Sequence, residues 1–519
     1  MEKKFAMRSV NQRCKLLKER VTLCTRRSRG KLHSSSVNLS NMKDYLTRYH
    51  PSFVRALVYM LQASEYNTED YLAWVGRTKD FRTVEKRKQL KFTGKALALF
   101  ISAWILTAIA VLIVIFGLTG GDEIANLFAI LVLFGFPYAL PYVLLLPLFI
   151  IKMVQLPVEG ILIAQAKAKL KKHPAFKIAI AGSYGKTSMR EILKTVLSEG
   201  KRVVAPGGSE NTPIGIARFV SRLRGDEEVL IFELGEYYPG DIKELSEMVR
   251  PDLGVITGVN EAHLSKFKTV EAATNTIFEL ADFLGGKPLY VNADNEIAKN
   301  KIEKGPIFFS RKGVFPMAGE WKVVAAETSL DGTSFVLEHD DEKINAQSKL
   351  LGLHNVGPLA AAIHIAKRVG LTNLEIESGV SKTVAFPHRL QRREDTGGVI
   401  TLDDSYNGNP DGVKAVIEFL GSIENHRRWY VTPGLVEMGE KSEEIHRNVG
   451  KQLAQAGIEK VVLIKNSVTP WIEEGLQENS FGGEIIWYED ALDCYNSLPH
   501  MTIAGDIVLL QNDWPDQYA

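Results

Sequence analysis

The segment Lys177–Ser188, KIAIAGSYGKTS, carries residue types suited to holding phosphate. Gly182, Ser183 and Gly185 form a turn of small residues in which the backbone can wrap closely around an anion. Lys186 can reach the β- and γ-phosphates of a nucleotide, the Thr187 hydroxyl can ligate Mg²⁺, and Ser188 follows at the helix start. The long phosphate-loop pattern wants a glycine five residues before Gly185, where Ile180 stands, so this is the shorter G-x-x-G-K-T form. An ordinary strand–helix turn is the alternative. ATP with Mg²⁺ is the ligand pair these residues fit.

A loop of this kind needs a strand before it and a helix after it. Phe176–Ala181 is an apolar run suited to a buried parallel strand, and Met189–Ser198 has apolar residues at helical spacing. The unpaired N–H groups of a helix start would then face the phosphate. Val229–Leu234, Leu253–Val259 and Leu289–Asn292 predict further strands, and Glu233 and His263 fall at or just past two of these runs. Open α/β sheets place their ligand crevice at such strand ends. A carboxylate and an imidazole there can hold Mg²⁺ directly or through water, or serve only as structural polar groups.

Net charge is +2 over 519 residues, so nothing draws the chain as a whole to nucleic acid. Three scattered cysteines exclude a disulfide framework. The charge is uneven: residues 1–30 hold ten Lys/Arg against two Glu. Such a run suits a solvated tail or contact with anionic lipid. Helices are expected around Pro51–Ala63 and Thr68–Val75. Ala96–Leu118 is a run of 23 residues without a charge, which as a helix spans roughly 34 Å, enough to cross a bilayer. Ile124–Ile151 is a second uncharged run, whose Pro137, Pro141 and Pro147 predict kinks or a partly re-entrant course. Lys86, Arg87, Lys88, Lys91 and Lys95 precede the pair, and Lys152, Lys167, Lys169, Lys171 and Lys172 follow it. The excess of positive charge predicts a multi-pass protein of the inner, cytoplasmic membrane with both ends in the cytoplasm. The expected organisation is a basic region 1–91, a two-helix transmembrane hairpin 92–155, an α/β domain 156–385 and a second α/β domain 386–519. Val399–Leu402, Trp429–Thr432, Lys460–Ile464, Glu484–Trp487 and Asp506–Leu510 are the expected strands of the last.

The motifs of residues 175–510 resemble those of the Mur ligase family, and within it the MurF branch. In order they are GSYGKTS (Gly182–Ser188), NTPIG (Asn211–Gly215), ELG (Glu233–Gly235), NEAHL (Asn260–Leu264), NAD (Asn292–Asp294), GLHN (Gly352–Asn355), HRL (His388–Leu390), DDSYNGNP (Asp403–Pro410), GLVEMG (Gly434–Gly439) and His446. The resemblance implies a phosphate-loop central domain and a Rossmann-like C-terminal domain. It implies an ATP-dependent ligase that joins a carboxylate to an amine through an acyl phosphate. The substrates implied are a muramoyl-peptide precursor, UDP- or lipid-linked, and D-Ala-D-Ala. Under it Lys186 and Thr187 serve the phosphates and one Mg²⁺. Glu233 ligates magnesium and His263 a second magnesium. Asn355 sits near adenine. Arg389 and Asp404 contact the nucleotide from the hinge and the C-terminal domain, and Tyr406 and Asn407 line the cleft. Lys186, His263, Glu233 and Asp404 are the catalytic set so implied.

The sequence departs from that pattern at three places. Thr274 stands where the family has a lysine that becomes carbamylated, Pro358 stands for a second asparagine, and Gln511-Asn512-Asp513 stands for a late K-G-S element. Residues 1–91 lack the strand alternation of a UDP-sugar-binding domain. A membrane-bound polyglutamate-type ligase on the same scaffold, or a nucleotide-binding scaffold without turnover, are the alternatives.

Overall fold

The computed structural model describes residues 46–85, 89–208, 210–260, 267–302, 305–316, 319–395, 397–406, 408–436 and 438–512. The basic run of residues 1–30 lies outside them, as do His263, Asn407 and Lys86–Lys88. The chain divides into two compact units, residues 1–147 and 148–519.

The described part of the first unit is helical. Helix α1 (Ser52–Ala63) buries Phe53, Val54 and Ala56–Leu61, and α2 (Thr68–Arg77) is capped by the Asn67 side chain, which accepts from Glu69 N–H and Asp70 N–H. Helix α3 (Gly94–Thr119) and helix α4 (Glu123–Val143) follow, joined by a turn in which Asp122 caps α4. The buried positions of α3 are Ala96, Leu99, Ala103 and Ala110. Gly117 continues the seven-residue spacing of the three alanines. A Cβ on Gly117 would lie 2.6 Å from the Ala129 side chain, so α3 and α4 approach closely through small residues. Helix α5 (Leu145–Lys172) begins after a one-residue break at Leu144. Pro147 has no N–H to offer Val143, which explains the break there. Pro137 and Pro141 are carried inside α4; the second apolar run is thus two helical segments with a break at Leu144. Gly94–Thr119 and the stretch Glu123–Lys172 are long and apolar enough to cross a membrane, and only 17% and 28% of their most apolar windows are buried in the protein.

The second unit holds two sheets. The first has ten strands in the order β10-β9-β8-β7-β6-β5-β4-β1-β3-β2. Its parallel part is β1 (Phe176–Ala181), β2 (Val203–Val204), β3 (Val229–Glu233), β4 (Leu253–Ile256), β5 (Leu289–Asn292) and β6 (Ile307–Ser310). Strands β7 (Gly313–Phe315), β8 (Trp321–Ser329), β9 (Gly332–His339) and β10 (Glu342–Ser348) extend it antiparallel. Apolar side chains above and below this sheet form two cores. One packs Ile178, Ile180 and Leu193 with α11 (Val356–Arg368), and the other packs Ala179, Phe232 and Ile256 with the end of α5 through Ala166 and Leu170. Parallel strands covered on both faces read as continuous apolar runs, which is why β1, β3 and β4 are legible in the sequence.

The second sheet has six strands, β11-β12-β16-β13-β14-β15. They are β11 (Gln391–Glu394), β12 (Ile400–Asp404), β13 (Arg428–Thr432), β14 (Lys460–Ile464), β15 (Glu484–Tyr488) and β16 (Ile507–Gln511), all parallel except β11. This is a Rossmann-like layer with apolar cores on both faces.

Candidate functional site

The turn after β1 leads into α6 (Lys186–Leu197), whose N-cap is Gly185 in the left-handed region at φ 74°. Gly182 lies at φ +143°, where a Cβ would stand 2.2 Å from Thr257 Oγ1. Both glycines are therefore required by backbone shape and by close approach. Just past β4, Thr257 donates its hydroxyl to the carbonyls of Ala181 (3.3 Å) and Tyr184, and Ser183 N–H donates to Gly258 O at 2.9 Å. The loop is tied to the neighbouring strand end before any ligand is considered. Burial pushes the Tyr184 hydroxyl up.

Lys186 Nζ donates to both carboxylate oxygens of Glu236 at 2.8 Å and to Gly182 O. Glu236 is 3% exposed. Thr187 Oγ1 donates to Glu233 Oε2 at 3.1 Å, and Arg190 Nη1 lies 2.9 Å from Glu233 Oε1. That pair is close but poorly aligned, so Oε1 accepts no hydrogen bond. Burial pushes the Glu233 carboxyl up, against the opposing pull of Arg190 and Lys186. Pairing in β1·β3 sets Glu233 beside Ile180, so the carboxylate stands at the level of the loop. Thr187 and Glu233 are a hydroxyl and a carboxylate within hydrogen-bond reach, the hard oxygen donors Mg²⁺ prefers, and Glu233 keeps an oxygen without a hydrogen bond. They fit that ion. Among the described residues no group of three His, Cys, Asp or Glu could hold a metal.

The second sheet brings its own strand ends. Asp404 ends β12 and pairs with Gln511 of β16. Gln511 Nε2 donates to Asp404 Oδ2 at 2.8 Å and Leu390 N–H to Oδ1 at 2.9 Å. Burial outweighs these bonds and pushes the Asp404 carboxyl up to about 6. The Arg389 guanidinium stacks 4.7 Å above the Tyr406 ring; burial lowers its basicity, while Asp404, Tyr406 and Glu233 favour its charge. His388, held at φ 62°, binds Asp403 Oδ2 through Nδ1 at 2.8 Å, and Arg393 joins the same oxygen at 2.9 Å. Asn512 fixes two motifs at once, since Gly408 N–H donates to its Oδ1 at 3.0 Å and its Nδ2 donates to Gly434 O at 2.5 Å.

A buried side-chain hydrogen bond links the two halves. Asn260 Nδ2 donates to Asn409 Oδ1 at 2.9 Å and to Asp411 Oδ2 at 3.1 Å. Asn260 opens NEAHL and Asn409 belongs to DDSYNGNP, a separation of 149 residues. Asn409 also caps α13 (Pro410–Gly421) by accepting from Gly412 N–H. Arg311 and Glu418 add a partly exposed ion pair at 2.9 Å. Gly182, Ser183, Gly185, Lys186, Thr187, Ser188 and Glu233 thus form one cluster, and Arg389, Asp404 and Tyr406 form another. The Asn355 amide instead donates within its own turn, to Leu351 O at 2.8 Å. His446 is buried: its Nε2 accepts from Leu435 N–H at 2.9 Å and its Nδ1 donates to Ser442 O at 2.5 Å, so it braces the GLVEMG turn. Thr274 is buried and donates back to Val270 O at 2.7 Å.

Sequence reasoning missed Glu236, Arg190, Thr257, Asp411 and the contact of Gln511 with Asp404. Glu236 lies one residue past ELG, which is its only sequence signal. The others depend on neighbours far away in the chain.

Residues 180–366 match the Mur ligase middle domain, and residues 388–511 match the Mur ligase glutamate ligase domain. A UDP-N-acetylmuramoyl-tripeptide–D-alanyl-D-alanine ligase of Escherichia coli (strain K12) is 28% identical over 296 residues, 56% of this chain and 65% of that protein. One from Bacillus subtilis (strain 168) is 24% identical over 356 residues, 67% of this chain and 75% of that protein. The chain thus spans somewhat less than two thirds of the length of the Escherichia coli relative. MurF ligase from Thermotoga maritima in complex with ADP superposes with a TM-score of 0.60 at 22% identity, covering 68% of this chain and 80% of that one.

Proposed function

We propose, from the premise that this chain belongs to the Mur ligase family through its middle and C-terminal domains, that it is an ATP-dependent ligase forming carbon–nitrogen bonds. In this reading it adds D-alanyl-D-alanine to a muramoyl-peptide precursor at the cytoplasmic face of the membrane. The observation that carries the reading is the Asn260 bridge, which joins the phosphate-loop sheet to the DDSYNGNP motif of the second sheet. In this reading the two strand-end clusters are the walls of one cleft. The names of the relatives support the choice of substrates.

The reaction runs in two steps. A substrate carboxylate attacks the γ-phosphorus of ATP, ADP leaves, and an acyl phosphate forms. The amine of D-alanyl-D-alanine then attacks the acyl carbon, phosphate leaves, and the amine gives up a proton. Lys186 offsets charge on the transferring phosphoryl oxygens, and the N–H groups at the start of α6 cradle them. Thr187 and Glu233 would hold Mg²⁺, which supplies charge neutralisation and orientation. Arg389, stacked on Tyr406, and Asp404 would cover the nucleotide from the second sheet. Closure there keeps water from the acyl phosphate. His263 and Asn407 remain part of the proposed site by resemblance.

Membrane attachment is part of this reading, and α3, α4 and α5 support it. Side chains such as Ile105, Phe116, Leu127 and Phe134 are exposed, 54–71% for these four. Water would penalise so much apolar surface, whereas a bilayer accepts it. Partners in this reading are membrane lipid and an acceptor that is UDP- or lipid-linked.

The test is phosphate release from ATP by the full chain purified in detergent, with Lys186→Ala as control. UDP-muramoyl-tripeptide, its lipid-linked counterpart and D-alanyl-D-alanine are supplied singly and in pairs, and products are weighed by mass spectrometry. Release that needs acceptor and dipeptide together, with a pentapeptide product, is expected. Release with no acceptor pair would overturn the reading.

A further inference from the structure

Lys186 has three N–H donors, and the structure spends them all before any ligand arrives. They go to the two Glu236 oxygens and to Gly182 O. Glu236 is buried and the Lys186 side chain is 13% exposed, so water screens the pair little. Beside them, Arg190 is shared between Glu191 Oε1 at 2.6 Å and Glu233 Oε1 at 2.9 Å. The cluster therefore sets Lys186 and Arg190 among Glu191, Glu233 and Glu236, with Lys186 matched by Glu236. A phosphate loop offers an anion a helix N-terminus and a lysine that reaches its phosphates. Here the lysine's charge is already matched, and a phosphate that approaches it meets a buried carboxylate.

We infer that Glu236 determines specificity in this loop by admitting a nucleoside triphosphate only together with a divalent cation. This rests on the nucleotide reading of the loop and deepens it. A bare triphosphate brings only negative charge to a lysine already matched by a buried carboxylate. A triphosphate that carries a divalent ion brings positive charge with it, and the Lys186 ammonium can then turn from Glu236 to phosphate without leaving that carboxylate uncompensated. Glu236 is a positioning residue on this account, since it acts through Lys186 and through the local charge balance. A strut that merely held Lys186 would weaken nucleotide binding equally with and without the cation when removed.

The two accounts separate in a binding measurement that needs no turnover. The full chain in detergent is titrated with ATP by calorimetry, once with Mg²⁺ and once with EDTA. For the unaltered chain, binding is expected with Mg²⁺ and much weaker binding without it. Glu236→Gln should strengthen the Mg²⁺-free binding and so narrow the ratio of the two affinities by about tenfold or more, the effect of one close charge. Glu236→Asp, which keeps the charge, should keep the ratio near the original. Thermal unfolding without nucleotide reports whether each variant is folded, and Glu236→Ala replaces the glutamine variant if that one is not. An unchanged ratio in the uncharged variant overturns the inference, as does equal weakening of both affinities, or loss of the ratio in Glu236→Asp. No ATP binding by the unaltered chain under either condition would overturn the nucleotide reading and the inference with it.

Discussion

Glu233 ends β3 in the first sheet and Asp404 ends β12 in the second, and burial pushes both carboxyls toward the neutral form. Their neighbours differ. Glu233 faces cations, with Arg190 at 2.9 Å and Lys186 close by, besides the Thr187 hydroxyl. Asp404 is bonded by neutral donors, the Gln511 amide and the Leu390 N–H, and its cation Arg389 is stacked on Tyr406. Opposite charges favour the ionised form strongly, whereas neutral donors offset the loss of hydration less. The first sheet thus sets its carboxyl directly beside cations. The second holds a carboxyl set to titrate near neutrality, whose state depends on what comes to lie beside it.

The comparison can be broken at either end. Lys186→Ala should have the largest effect, lowering ATP-dependent phosphate release by about 10³-fold or more. A rate within tenfold of the original would remove the first cluster from the chemistry. At Asp404 the effect is on stability against pH. Its folded value, about 6, lies above the ordinary 3.8. The native state therefore holds the proton more tightly. The associated stability is fully present below pH 3.8 and is lost as pH rises through about 6. The loss is at most about 3 kcal/mol, less what water at its part-exposed edge screens. Asp404→Asn should flatten that fall, as thermal melts from pH 4 to 7 would show. A variant that melts in parallel with the original at every pH would make the two carboxyls alike.

Smaller effects test how the halves are joined. Asn260→Ala removes one donor each from Asn409 and Asp411 in a buried place, a cost of about 1–3 kcal/mol. Faster limited proteolysis between residues 386 and 391, with a lower turnover number, is the expected result. Arg311→Ala removes an ion pair whose partners are 36% and 51% exposed. Its effect on the same proteolysis should stay within about 1 kcal/mol. If Arg311→Ala matched Asn260→Ala, the contact between the sheets would be a diffuse surface attraction rather than the buried amide bridge.

Much of the scaffold was legible because it rests on local patterns. The apolar runs at β1, β3, β4 and β5 and at five of the six strands of the second sheet appear as continuous hydrophobic stretches. The α1 and α2 segments and the apolar helices are equally plain. Strand β11, QRRE, was not foreseen: it is a polar edge strand, and its pairing with β12 depends on where β12 lies. The antiparallel extension β7–β10 was missed for a similar reason, since its alternation covers only one face. Lys186, Thr187 and Glu233 could be named as candidates because their motif is contiguous or lies at a strand end, and the structure brings them together. Asn355, expected near a base, has its amide turned into its own loop.

The sequence by itself determined that a GSYGKTS loop lies between strand and helix, that two stretches are long and apolar enough to cross a membrane, and that the chain carries the motifs of an ATP-dependent ligase in order. Periodicity, glycine placement and hydrophobic run length act over a few residues, so they can be read without a fold. The tertiary structure decided which charges face each other. It set Glu236 against Lys186, Arg190 against Glu233, Gln511 against Asp404 and Asn260 against Asn409. Those pairings depend on distance and burial, because an electrostatic or hydrogen-bonded contact is strong only where the fold brings groups within about 3 Å and shuts water out. No local pattern encodes that.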